Sequence, residues 1–148
     1  MRRIRLLSCL APLFVAACDV VPVGIAPFPL IGPDTLLPVG QSWTIDSALG
    51  MPRPAGVVAT LSRTPQGIGG GSACNLYFGE VEFGPARLDF RNISSTEMDC
   101  PEPAKGFERR VLAALNAADG LSGAPGGPLT LTAGRRPIAQ LTAQPTPR

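Results

Sequence analysis

The chain has 148 residues, with 13 Lys plus Arg against 11 Asp plus Glu, no His and 4 Cys, a length that suits one modest domain with accessory segments. Charged residues make up 16% and hydrophobic ones 45%, which excludes a disordered polyelectrolyte, while 17 Pro and 17 Gly mark a loop-rich chain. Without histidine there is no Ser-His-Asp or Cys-His nucleophilic site, no His-ligated zinc or haem, and no histidine pH switch.

Residues 1–17, MRRIRLLSCLAPLFVAA, read as a secretion signal. Arg2, Arg3 and Arg5 make a cationic start, and Leu6 to Ala16 form an apolar run too short to cross a bilayer as a stable helix. The run ends Val15-Ala16-Ala17-Cys18, which resembles the bacterial lipobox, where a Cys after small residues is acylated and becomes the mature N-terminus. The alternative is an ordinary signal peptide with a chance Cys. In the lipobox reading several acyl chains sit on Cys18, and two or more chains hold a protein stably on a membrane. Asp19 resembles the enteric inner-membrane retention signal, a rule that does not carry to other bacteria, so the choice between inner and outer membrane stays open. The expected location is the bacterial cell envelope, lipid-anchored and facing the periplasm. Loss of Arg2, Arg3 and Arg5, and of no acid, takes the 13 basic residues to 10 against 11 acidic, a formal charge of −1. No nucleic-acid partner is expected from that balance.

Residues 18–40 comprise Cys18 and a tether whose prolines 22, 27, 29, 33 and 38 are spaced so that neither a helix nor a central strand can run through. It reads as a spacer in preference to a segment packing through Val20, Val21, Ile25, Phe28 and Leu30. Strands are predicted over Trp43 to Ala48 and Gly56 to Leu61, divided by the breaker GMPRP. Gly67 to Ser72 reads as a flexible connection, since no helix follows and no P-loop Lys is present. Cys74 to Phe83 reads as a strand with Tyr77, Val81 and Phe83 on one face and Glu80 and Glu82 on the wet one. Leu88 and Phe90 alternate with Arg87, Asp89 and Arg91 after the Gly84-Pro85 turn, and Asn92-Ile93-Ser94 has the form of a glycosylation sequon, uninformative in a bacterium. Phe107, Val111, Leu115 and Ala118 recur at helical spacing, with Glu108, Arg109 and Asn116 pointing elsewhere. Short strands at Leu129 to Thr132 and Ile138 to Thr142 flank the turn AGRRP, and residues 144–148 form a tail. The pattern is a meander of antiparallel hairpins covered by one helix.

Gly71-Ser72-Ala73-Cys74-Asn75-Leu76-Tyr77, then Thr96-Glu97-Met98-Asp99-Cys100-Pro101, then a helix with Phe107-Glu108 and Leu112-Ala113-Ala114-Leu115, resemble the META domain family of HslJ-like proteins. Trp43 and Leu129-Thr130-Leu131 match its boundary patterns, so the resemblance spans residues 41–143. It implies an α+β fold, a curled antiparallel sheet forming a partly open barrel of about six to eight strands with one covering helix. It also implies similarity in shape to pilotin lipoproteins of secretion systems, and no established enzymatic activity. The family associations that the resemblance brings are heat shock, antibiotic tolerance and, in parasites, virulence or motility, none of them tied to particular residues, and stress tolerance is the expectation taken from them.

With Cys9 lost in the signal and Cys18 acylated, Cys74 and Cys100 are an even pair in an oxidising compartment and are expected to bond, which stabilises the domain by about 3 to 4 kcal/mol through loop closure. A redox or nucleophilic thiol is the rival, without a Cys-x-x-Cys or a His in its favour. Asn75 and Thr96 are expected to satisfy buried backbone groups at strand ends, and Met98 to fill core space; Trp43, Gly71 and Tyr77 complete the structural motif. No cofactor, metal or catalytic residue is expected, and the oligomeric state is not predicted. The expected function is a noncatalytic, membrane-anchored envelope lipoprotein that binds or stabilises another envelope protein in stress tolerance. The alternative is a pilotin-like or carrier lipoprotein receiving an apolar helix or acyl chain.

Overall fold

The computed structural model describes residues 32–145. Cys9, Cys18, the signal, most of the tether and the last three residues lie outside them. The elements run α1 (Pro33–Leu36), β1 (Ser42–Ala48), β2 (Met51–Pro52), β3 (Thr60–Thr64), β4 (Gly67–Gly71), β5 (Leu76–Phe83), β6 (Leu88–Ser95), α2 (Ala104–Ala117), β7 (Gly120–Gly123), β8 (Leu129–Ala133) and β9 (Arg136–Ala143). Eight strands lie in the order β6-β5-β4-β3-β1-β9-β8-β7, every neighbouring pair antiparallel, and β2 pairs with β1. The sheet curls into a half-barrel, and its two ends meet where Leu88 N–H at the start of β6 donates to Asp119 O ahead of β7 at 3.2 Å. The expected curled antiparallel sheet with one main helix is therefore present.

Alternation builds the core. Trp43 and Ile45 point inward from β1, and then a register shift against β9 between Ile45 and Ser47 moves the inward phase by one residue, so Ala48 is buried. Leu61, Ile68, Tyr77, Phe90, Leu129, Leu131 and Leu141 come in from the other strands. Helix α2 closes the concave side with Phe107, Val111, Ala114 and Leu115, a seam spaced as one helical face. Trp43, the bulkiest of these side chains, is completely buried and donates its indole N–H to Gly127 O at 3.2 Å.

Five segments differ from the sequence expectation, the first being the breaker GMPRP, whose Met51–Pro52 pairs with β1 as the short strand β2. Gly67–Gly71 is an interior strand, β4, where a flexible connection was expected. The glycines permit close strand approach: a Cβ on Gly70 would run into the Thr60 carbonyl, and one on Gly67 into the Gly79 carbonyl. The strand expected over 56–61 begins at Thr60, because Gly56 turns at φ +76°. The four-residue β7 went unpredicted. Within the expected tether, Pro33–Leu36 forms one helical turn beside β7, and Leu36 and Leu37 are buried in the core. A proline at the first helical position leaves that turn intact, since its missing N–H has no partner there.

Candidate functional site

The residues of the two cysteine motifs converge on Asn75, at the loop between β4 and β5. Its Oδ1 accepts from Met98 N–H at 2.7 Å and from the Thr96 hydroxyl at 2.8 Å. Its Nδ2 donates to Met98 O at 3.1 Å and to Glu108 Oε2 at 3.2 Å. All four bonding positions of the amide are used. Thr96 Oγ in turn accepts from Leu76 N–H at 3.1 Å. The two side chains thus serve backbone groups at the ends of β5 and β6, and they fasten the extended segment after β6 to the loop before β5. Cys74 and Cys100 form a disulfide across the same segment, with Cα atoms 6.0 Å apart.

Glu108 completes the cluster, and it corrects the sequence reading, which turned this residue away from the core. Its side chain leaves α2 toward the loop and is only 8% exposed. Oε1 accepts from the Ser72 hydroxyl at 2.6 Å and from Asn75 N–H at 3.2 Å, while Oε2 takes the Asn75 amide. The Ser72 hydroxyl also lies 2.9 Å from Asn75 O, which already accepts from Ser72 N–H at 2.7 Å, so its one proton serves one oxygen at a time. Among the described residues no cation pairs with Glu108. A buried carboxylate with neutral donors alone depends on every one of them, because losing a donor leaves charge desolvated. The donors lie 33 to 36 residues away in sequence, so helical periodicity could not reveal them.

Tyr77 faces inward across Gly70 and donates to Thr60 O at 2.9 Å, and burial pushes its phenol far above the ordinary range. That hydroxyl is a permanent neutral donor. Gly71, by contrast, has ordinary room for a Cβ, so the tight glycine of this motif is Gly70. Met98 does not fill the core: it is 60% exposed, and its contribution is its backbone, held by Asn75. Phe107 and Val111 of α2 are buried.

Glu80 and Glu82 lie on the wet outer face of β5. Arg91 pairs with Glu82 at 2.9 Å and with Asp89 at 2.7 Å, and these acids raise its guanidinium further. Lys105, 2.6 Å from Asp99, holds that carboxyl below its usual range. Among the described residues there is no group of three or more His, Cys, Asp or Glu arranged to hold a metal ion.

The family model described as META domain matches residues 35–145. The chain belongs to the META domain family. The match begins inside α1, in keeping with the burial of Leu36 and Leu37 in the META domain core. An NMR structure of a protein from Burkholderia xenovorans is similar at 23% identity and a TM-score of 0.61, over 75% of this chain and 86% of that one. A second NMR structure is similar at 18% identity and a TM-score of 0.54, over 68% and 87%. These likenesses concern the fold. None of the curated proteins matches the chain.

Proposed function

We propose that this META domain protein is a noncatalytic lipoprotein of the bacterial envelope. It is held to a membrane through acylated Cys18, faces the periplasm, and binds or stabilises another envelope component in stress tolerance. The observation that carries the noncatalytic reading is where the family motif spends its polar groups. Asn75, Thr96, Ser72 and Glu108 bond to one another and to strand-end backbone, and the cysteines bond to each other. A nucleophile or general base needs a group turned toward a space that substrate can enter, and here those groups close on themselves.

The pilotin-like reading calls for an apolar groove between sheet and helix. Phe107, Val111 and Leu115 of α2 occupy that space against Trp43 and Tyr77, which favours recognition by the outer surface. Leu76 and Phe78, alternating on the outer face of β5, are the apolar groups available there.

The anchor is tested by fractionating cells that express the full chain or its Cys18→Ser variant. The reading expects the full chain in the membrane pellet with an acylated N-terminal Cys18, and the variant released or unprocessed. Processing of the variant at the same bond with retention on the membrane defeats it.

A further inference from the structure

We infer that the outer face of β4, β5 and β6 carries a subsite for one ring of a neutral saccharide, in the open cleft walled by Phe78, Glu80, Asn92, Ser94 and Gln66. The inference gives a ligand class to the binding reading above and rests on it. The cleft measures about 430 Å³. Gly67 and Gly79 line its floor, and the depression is owed to Gly67, whose missing side chain lets β4 lie against the Gly79 carbonyl, whereas the absent side chain of Gly79 is on the Ile93 side.

Three observations give the cleft a chemistry. The first is Phe78, 60% exposed, with its ring resting on bare β4: a Cβ on Gly69 would lie 3.2 Å from its Cδ1 and 3.6 Å from its Cε1. Backbone on one side leaves the other side of the ring open to a ligand. The second is a bulge. The pairing steps from Phe78↔Ser94 to Glu80↔Arg91, so Asn92 and Ile93 together oppose Gly79, and Asn92 takes φ +52°, a left-handed conformation that asparagine tolerates better than other residues with a Cβ. The bulge turns the Asn92 amide onto Glu80, its Nδ2 donating to Oε2 at 3.1 Å. The third is unused bonding capacity. Among the described residues, Glu80 Oε1, Asn92 Oδ1, the Ser94 hydroxyl and the Gln66 amide make no hydrogen bond within the protein.

A pyranose presents an apolar C–H face together with an equatorial rim of hydroxyls that both donate and accept. An exposed aromatic ring beside a carboxylate, two amides and a hydroxyl matches both parts. Charge disfavours an anionic ligand, since Glu80 is acidic and Arg91 is already paired with Glu82 and Asp89, so a cation is the competing occupant that the test includes.

The test is saturation-transfer difference NMR on the full chain with N-acetylated chitotriose, cellotriose and maltotriose as probes. Transfer to the ring protons of at least one sugar is expected, with a Kd on the order of 1 mM. Phe78→Ala, Glu80→Gln and Asn92→Gly are each expected to weaken binding about tenfold, while Met98→Ala leaves it unchanged. Asn92→Gly is chosen because glycine suits the bulge and the variant keeps its fold. The proposal is overturned by no transfer from any of the three sugars, by transfer indifferent to these substitutions, or by tetramethylammonium binding at the cleft in their place. If the sugars fail while envelope crosslinking of the domain persists, the ligand class is wrong and the binding reading stands.

Discussion

Asn75 pairs with Met98 as a strand residue pairs with its neighbour, the side-chain Oδ1 accepting from Met98 N–H at 2.7 Å and Nδ2 donating to Met98 O at 3.1 Å. One side chain extends the β5–β6 ladder by a step where the backbone has left the sheet. Asn75→Asp keeps the acceptor and loses both donations, and it sets a second carboxylate against Glu108. The expected loss is about 2 to 4 kcal/mol of unfolding free energy, read by chemical denaturation. A loss within ~0.5 kcal/mol contradicts the pairing.

Glu108→Gln supplies the next test. The new amide keeps an oxygen for Ser72 or Asn75 N–H but turns an N–H toward Asn75 Nδ2, donor against donor. Destabilisation by about 1 to 3 kcal/mol is expected, with most of it absent when the same change is made in an Asn75→Ala background. Equal costs in both backgrounds contradict the coupling.

How much of this was legible in the sequence depends on how far apart the partners lie. The α2 seam of Phe107, Val111 and Leu115 follows from periodicity, and the Tyr77 and Val81 face of β5 from alternation. Glu108 did not, since periodicity assigns an acid to water, and the donors that hold it sit on another element. Met98 misled in the opposite direction, as an apolar side chain whose backbone is the part in use. β4 was hidden because four of its five residues are glycine, which carries no pattern of faces, and the proline-rich run concealed the short α1.

The glycines of β4 are distinguishable by substitution. Gly70→Ala drives a methyl into the Thr60 carbonyl that Tyr77 also uses, and it should cost about 2 kcal/mol or more. Gly71→Ala meets only ordinary contacts at 3.7 and 3.8 Å and should cost less than about 1 kcal/mol. Thermal melts of the two variants decide it, and a reversed order contradicts the packing.

The Cys74 to Cys100 bridge spans a sequence separation of 26, and replacing both cysteines with Ser should lower stability by about 3 to 4 kcal/mol through the entropy of the opened loop. Mass spectrometry of alkylated, unreduced protein from the periplasm should find neither thiol labelled. Labelling at both sites contradicts the bridge.

Asp99 offers a pH test. The Lys105 ammonium holds its carboxyl low, so the pair's contribution is present above the ordinary carboxylate range and is lost as the pH falls through the lowered value. NMR titration should place Asp99 below an ordinary aspartate and return it upward in Lys105→Met. No movement in that variant rejects the assignment.

The central claim is that the motif is a structural brace and that the outer face does the binding. Crosslinking in intact envelopes, with partner yield set beside the melting temperature, separates these roles most directly. Charge reversal at Glu80, Glu82, Asp89 and Arg91 is expected to reduce partner capture while the melting temperature moves little, because exposed polar residues contribute little to folding. Glu108→Gln is expected to reduce capture only in proportion to the protein it unfolds. Capture indifferent to all four reversals, or a hydrolytic turnover abolished by Glu80→Ala or Glu82→Ala in folded protein, would contradict the account.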